Sequence, residues 1–530
     1  MILIKNLEID INATDSAIEN LICRTLNVSP DDIDDVKLHK LSIDARHKNK
    51  IKKIASFYVK CKCELKRLPK NCENADVTEY KIKVVNDKVT EPVIVVGSGP
   101  CGLFCAYALN KARIPVTLIE RGSEINKRID KVNTFYKTRV LDESTNIQFG
   151  EGGAGTFSDG KLTTGIKSEK CAFIKKVFYD YGAPEDVLYA SMAHIGTDYL
   201  RKIVYNMRKS MSDMTTFLFD TVVKDVITDN GAVKGLVVNN ADGERVINAS
   251  NVVFCIGHSA RDTYSMLMER GVAMRPKPFS IGVRVEHGKQ SVDYAQYGNI
   301  GLSEATYKLA THLKNGRGVY TFCMCPGGEI VAAASEKGGV VVNGMSNFAR
   351  DGVNSNSAVL VSVMPEDFGN DIKNGIEFQR KYERMAFSLA GGDYSAPAQL
   401  VGDFLKNIKS TNFGNVKPTY PLGVTLCNLT ECLPEFAVES IRAAIPEFAN
   451  KVKCFADYDG IFTGVETRSS SPVQIIRNDL SESSISGLYC AGEGAGYAGG
   501  IMSAAVDGIN VAERIIEKIN GLNKSNIKIN

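Results

Sequence analysis

The chain has little net charge, no long apolar run and no regular cysteine framework, and each shortage removes a class of function. A balance of +3 over 530 residues gives no global attraction to nucleic acid or to an acidic membrane. No apolar run approaches the roughly 20 residues that a bilayer-crossing helix needs. The opening Met1-Ile2-Leu3-Ile4-Lys5 alternates and soon meets acids, unlike a signal peptide. The 14 cysteines lack regular spacing, and several sit in apolar runs such as Phe254-Cys255-Ile256 and Leu488-Tyr489-Cys490. They read as reduced core thiols, so a cytoplasmic protein without membrane contact is expected. The 6 histidines show no metal-ligand spacing, which leaves no metal site to expect, and the Gly-x-Ser-x-Gly elbow of a hydrolase is missing.

What the chain does have is 44% apolar residues, enough to bury cores in two or three domains, and one stretch that organises the rest. Val93 to Val96 runs into Gly97-Ser98-Gly99-Pro100-Cys101-Gly102; an apolar helical pattern follows, and a second β-run, Val116 to Ile119, ends at Glu120. Strand, glycine turn, helix and strand within about 30 residues make a dinucleotide-binding pattern. Gly97 makes the tight turn, Gly99 lets backbone approach a pyrophosphate, and Gly102 lets the helix pack close on the strand. The helix start offers unpaired N–H groups and the positive end of its dipole. Glu120, 23 residues past Gly97, stands where a carboxylate accepts hydrogen bonds from a ribose diol. Only one complete fingerprint of this kind is present, so no second Rossmann domain for NAD(P)H is expected.

Residues 1–88 read as a separate βαββ unit. Ile2 to Ile9 alternates as a strand, Ser16 with Glu19 offers a capping box for a helix through Leu26, and Val36 to Ile43 and Ala55 to Leu65 alternate again. Arg46 to Lys70 carries 10 Lys/Arg against one acid. A solvated hairpin is the favoured reading of that run; RNA contact is the alternative, although no RNP-like, KH-like or zinc pattern accompanies it. A linker from Cys72 to Pro92 leads to the nucleotide fold, whose first part is assigned to 89–270. Beyond Glu120 a polar helical stretch precedes Phe149 to Leu162, where 5 glycines in the 11 residues from 150 to 160 leave backbone bare for a flat ligand. Residues 168 to 210 read as helical. Thr216 to Cys255 reads as short β-runs with hairpin turns at Asp229-Asn230-Gly231 and Ala241-Asp242-Gly243. A less regular substrate or cap domain is expected over 271–455. Over 456–530 the chain returns to the nucleotide fold through Gly487 to Gly494, a strand ending in glycines and an acid, and a final helix opened by Gly499-Gly500-Ile501-Met502.

These residues resemble the FAD-binding superfamily of glutathione-reductase type, in which a glycine turn holds the FAD pyrophosphate, an acid ending the second strand holds the adenosine ribose, and a late Gly-Asp contacts the ribitol. Here the late pair is Gly492-Glu493, with a longer carboxylate. The runs GGAGTFSDGKL, GHSARDT, FCMCPGG, NGMS, GVETRSSSP and AGEGAGYAGGI are similar to one family of uncharacterised bacterial FAD-dependent dehydrogenases. The resemblance implies an α/β fold: a doubly wound FAD-binding Rossmann-type domain with an inserted α+β substrate domain and the small N-terminal βαββ domain. It implies FAD as cofactor, held by Gly97, Ser98, Gly99, Pro100, Cys101, Gly102, Glu120, Arg121, Gly153, Thr156, Ser158, Lys161, Val223, Gly257, Gly492, Glu493, Gly500, Ile501 and Met502. The N-terminal N–H groups of the last helix would face the flavin N1/O2 edge, where reduced flavin accumulates negative charge.

The expected activity is hydride exchange between flavin and a small organic substrate, with the catalytic residues and the electron donor or acceptor unassigned. An RNA-linked flavoprotein and a flavin monooxygenase are the alternatives. No Cys-x4-Cys or Cys-x-x-Cys pair stands directly after the first strand–helix–strand unit, which argues against a disulfide reductase. Cys101 and Cys105, at i and i+4 on the first helix, read as core. Cys323 and Cys325 read as small buried residues rather than a redox pair, because so short a disulfide loop would be strained. Lys161 is placed either to neutralise reduced flavin or in solvent. Arg284 and Arg468 read as ion-pair members before substrate clamps, His258 as a turn residue after its strand, and His287 as lacking the third partner of a relay.

Overall fold

The structure, a computed structural model, describes residues 1–521 apart from 66, 77 and 303. Lys66 of the basic run and the last nine residues of the C-terminal return, 522–530, lie outside the described residues.

The nucleotide fold is a five-stranded parallel sheet. Val93–Val96 lies at its centre, flanked by Val116–Ile119 and then Thr215–Leu218 on one side, and by Val252–Phe254 and then Leu488–Cys490 on the other. The central strand is buried throughout, as a strand covered by helices on both faces must be. Because the outermost strand comes from the tail of the chain, the fold closes only when both ends meet. The first helix, Pro100–Lys111, and the last, Ile501–Ile519, pack together. Gly508 makes that contact possible, since a Cβ there would lie 2.1 Å from the Cys101 carbonyl oxygen. The stretch 168–210 forms two helices, Lys170–Asp180 and Thr197–Met211, and the expected hairpins appear as the meander Val222–Asp229, Ala232–Asn240 and Gly243–Asn248.

At the N-terminus, Lys52–Cys61 lies between Ile33–Asp44 and Ile2–Asp10, with the short strand Cys72–Asn74 on the outer edge. Helix Asp15–Leu26 covers one face of this sheet through Ile22 and Leu26. Its cap is Thr14, not Ser16: the chain is already helical at Asp15, and Thr14 Oγ1 accepts from the Ala17 N–H at 3.3 Å. Three cations of the basic run meet carboxylates on the neighbouring strands, Lys52 with Glu8, Lys60 with Asp34 at 2.5 Å and Arg46 with Asp44 at 2.6 Å. The unit is tied to the body through Leu41, whose N–H donates to Tyr189 and whose carbonyl accepts from Ser191, at 2.9 and 2.8 Å.

The middle of the chain forms a seven-stranded sheet, antiparallel except at its last pair and called here the antiparallel domain, in the order Ala310–His312, Gly318–Cys325, Asn354–Val363, Phe279–Gly288, Ile461–Glu466, Ala396–Leu400 and Val424–Leu426. Ile461–Glu466, which sequence reading assigned to the C-terminal return, pairs with Phe279–Gly288 instead. Every residue of that strand is buried, and this sheet supplies cover on both sides. The passes into and out of the domain also pair with each other, as Met274–Pro276 against Val473–Ile475. No helix among the described residues is long and apolar enough to cross a membrane.

His287 sits wholly buried in this domain, edge-on to Phe455 at 4.9 Å, with neither ring nitrogen hydrogen-bonded. Burial pushes its pKa from 6.5 down to about 4. In the unfolded chain the imidazole takes up a proton near pH 6.5, so native stability is complete above that value and drains away as pH falls towards 4. The loss reaches about 3 kcal/mol. Denaturant melts between pH 7 and 4 should show that slope, and His287→Leu should flatten it; an equally steep slope in the variant rejects the assignment.

Candidate functional site

The glycine turn has the geometry its spacing predicts. Gly97 takes φ +100°, and a Cβ there would lie 2.6 Å from the Cys255 carbonyl oxygen. A Cβ on Gly102 would lie 1.9 Å from the Gly97 carbonyl oxygen, so only glycine lets the helix start so close to the strand. Gly99 differs: its missing Cβ would meet nothing nearer than the Gly153 Cα at 3.8 Å. Packing explains the first two glycines, while the third faces open space.

That space is a groove running past the turn, and it gathers most of the expected residues. Gly97, Ser98, Gly99, Pro100, Cys101, Glu120, Arg121, Gly153, Ser158, Lys161, Val223, Gly257, Glu493, Gly500 and Ile501 line it. Four expected residues stand behind its wall. Gly102 packs on the turn; Gly492, at φ +80°, packs on Cys101; Thr156 is buried, with its carbonyl accepting from Thr197 Oγ1 at 2.7 Å; and Met502 joins the core between sheet and helices. Gly257, Gly499 and Gly500 are more open still than Gly99, since a Cβ there would meet no atom within 4 Å. His258 also lines the groove, 4% exposed, with neither ring nitrogen in a hydrogen bond although Nδ1 lies 3.2 Å from Glu493 Oε1. Bare backbone that packing does not require and an unpartnered imidazole are what a long polar ligand would occupy.

Glu120 ends its strand as expected, but its carboxylate is already engaged by the chain. Oε2 accepts from the Ser98 N–H and hydroxyl at 2.9 and 2.7 Å, and Oε1 from the N–H groups of Gly122 and Gly150 at 2.9 and 3.1 Å. It therefore joins the glycine turn to the second glycine loop. That loop is held from behind by Arg128, a residue that sequence reading passed over within a polar helix, Ile125–Thr138. Its fully buried guanidinium donates to the carbonyls of Asn146, Ile147, Gly150, Glu151 and Gly153 at 2.6 to 3.2 Å.

A charged cluster stands on the loop's far side. Asp159, fully buried, accepts from Lys161 at 2.6 Å, from Arg350 at 2.8 and 3.0 Å, and from Ser346. Burial pushes its carboxyl up, but Lys161 and Arg350 outweigh burial and hold it well below the ordinary range. Phe322, Cys323 and Asn343 of the antiparallel domain complete the groove beside this cluster. Arg284 and Arg468 are interior ion-pair members, paired with Glu466 at 2.7 Å and Glu383 at 2.9 Å. Cys105 is core, and Cys101 Sγ rests 3.4 Å from Cys255 Sγ at the groove floor.

Three stretches match known families: 1–59 a domain of unknown function, 95–146 an NAD(P)-binding Rossmann-like domain, and 278–469 the FAD-dependent protein, C-terminal domain-like family. The last coincides with the antiparallel domain. A Clostridium beijerinckii protein named only as uncharacterized is 45% identical over 97% of this chain and 98% of its own length. The chain belongs to its family. The protein is FAD-dependent, and its fold is that of flavoproteins. Looser likenesses include E. coli quinol fumarate reductase FrdA, at 14% identity over 83% of this chain and 72% of that one with TM-score 0.38. The FAD-complexed glycerol-3-phosphate dehydrogenase of Bacillus halodurans shares 12% identity over 83% of this chain and 66% of its own, with TM-score 0.34. Likenesses of that order carry nothing about activity.

Two glycine variants should separate packing from ligand contact. Gly102→Val drives a side chain into the turn and should cost about 3 kcal/mol or more in thermal or denaturant melts. Gly500, with φ 174°, has extended backbone that any residue adopts. Gly500→Leu should leave the flavin-free protein as stable as its parent yet weaken FAD about tenfold or more in a fluorescence titration. Native FAD affinity in Gly500→Leu would show that the ligand passes elsewhere.

Proposed function

We propose that the protein is an FAD-dependent oxidoreductase of glutathione-reductase-type architecture that transfers hydride between the flavin and a small organic substrate. The observation that carries this reading is the meeting, in one groove, of the glycine turn, the start of the last helix, and a wall supplied by the antiparallel domain beside Lys161.

In this reading the pyrophosphate lies on the turn from Gly97 to Cys101 and on the exposed N–H groups of the helix that follows. Glu120, Arg121 and Val223 attend the adenosine half, where a ribose hydroxyl would displace Ser98 Oγ as donor to Glu120. Glu493 attends the ribitol, and the N-terminus at Gly500 and Ile501 faces the ring. When bound, FAD supplies the redox step; the chain supplies position and charge. Burial works against the Lys161 ammonium, but Asp159 outweighs it and keeps the group a cation at neutral pH. Lys161 and the helix N-terminus then stabilise the negative charge that reduction brings. The side chains of Phe322 and Asn343 stand where they can orient a substrate and exclude water.

Gently purified protein should be yellow with one FAD per chain, and an anaerobic screen should find an organic donor that bleaches it. Colourless protein would defeat the reading. Lys161→Met should keep FAD and lower the flavin potential by about 30 mV, equivalent to about 1.4 kcal/mol for two electrons. A potential unchanged within error would remove Lys161 from this role.

A further inference from the structure

We propose that Cys323 and Cys325 are a redox-active dithiol that exchanges an electron pair with the flavin, Cys323 meeting the cofactor and Cys325 closing the disulfide. The inference rests on the reading of the groove as the flavin site with its ring beside Lys161.

The two thiols sit differently. Cys323 lines the groove and is partly exposed, whereas Cys325 is fully buried behind it. On a regular strand, residues two apart have Cα atoms roughly 6.6 Å apart, near the limit for a disulfide. This strand is not regular. Phe322 faces Ala358 and Cys325 faces Asn356, so Cys323 and Met324 together oppose Ser357, one residue more than the partner strand. Cys323 absorbs the bulge with φ +46°, a left-handed conformation that costs a non-glycine residue energy and recurs where function requires it.

The bulge folds Cys325 back until its Sγ donates to the Cys323 carbonyl at 3.2 Å, which brings the buried thiol against its neighbour's backbone. Arg284 holds the arrangement. Its Nη2 donates to the same carbonyl at 2.5 Å and lies 3.7 Å from Cys325 Sγ, while Glu466 and Asn356 fix the rest of its guanidinium.

The electrostatics then divide the pair. The neighbouring Cys325 thiol is the largest influence lowering the Cys323 pKa; burial opposes it, and Lys161 and Arg284 add to the lowering, so Cys323 is the member of the pair that ionises first. Cys325 is pushed the other way and stays a thiol. Cys101 and Cys255 form a second close pair, but burial and the neighbouring thiols raise Cys255 well above the ordinary range and Cys101 is raised as well, so no nucleophile is present there. Cys427 and Cys432, the one pair in Cys-x4-Cys spacing, are buried in the antiparallel core.

With one thiolate and one thiol the step balances without another reactant. The sulfur–sulfur bond forms as the Cys325 S–H bond breaks; two electrons and that proton pass to oxidised FAD, which becomes the anionic reduced form beside Lys161. In reverse, reduced flavin reopens the disulfide. The strain of so short a ring suits this role, because strained disulfides are the readily reduced ones.

Anaerobic dithionite titration of the holoenzyme, with peptide mass spectrometry of the oxidised protein, tests the pair. The native protein should take up four electrons per FAD, and its oxidised 323–325 peptide should be lighter by two hydrogens. Cys323→Ser and Cys325→Ser should keep their FAD and take up two electrons. Brief iodoacetamide treatment of reduced protein should label Cys323 first, at a pH well below that of an ordinary thiol. Protein that holds FAD but takes up two electrons in all three forms overturns the pair and leaves the flavin site standing. A loss that instead follows Cys255→Ser also overturns it. Colourless protein defeats the flavin site; the absence of the lighter peptide in it then overturns the pair as well.

Discussion

The architecture of the groove depends on one buried guanidinium. Arg128 carries its charge into the fully buried interior, a cost that only dense hydrogen bonding offsets. It meets that cost by taking three carbonyls of the glycine loop and two of the turn leading into it, with the ring of Phe157 4.7 Å away. A loop that would otherwise turn its carbonyls towards the groove is thereby held with them facing inward, leaving bare backbone on the ligand side. Gly150 is glycine because a Cβ would stand 2.4 Å from the Arg128 Cδ. Glu120 fastens the same loop to the first glycine turn, and both pieces of cradle stand in fixed relation before any ligand arrives.

The loop also carries the link between domains. Asp159 accepts from Ser346 and Arg350, residues of the antiparallel domain, while Lys161 two positions on faces the groove. The cation beside the proposed flavin ring and the contact that seats the second domain therefore share one carboxylate.

Features set by short-range sterics were legible in the sequence. The turn at 97–102 could be read because Gly97 and Gly102 answer local crowding problems and Gly99 leaves backbone bare between them, and the final helix because its glycine opening and apolar stripe are contiguous. Arg128 could not be read: its acceptors lie 18 to 25 residues downstream and are carbonyls, which carry no sequence signature. Cys323 and Cys325 read as small buried residues because nothing in FCMCPGG announces the extra residue that bulges the strand. Ile461–Glu466 was misplaced because closeness in sequence to the tail said nothing about which sheet offered it partners. Glu120 was recognised by position, but its engagement with backbone N–H groups emerges only when the loop folds over it.

The ribbon at the domain junction has its own consequence. Pro276 stands opposite Val473, so the polypeptide leaves the nucleotide fold and re-enters it at almost the same point. The intervening domain is thus a cassette whose ends are neighbours, and a short turn could seal the gap if it were lifted out. A single nick in either arm of the ribbon would still leave the two bodies joined by the other. An ancestor could have gained or exchanged this insert without redrawing the parallel sheet that receives it.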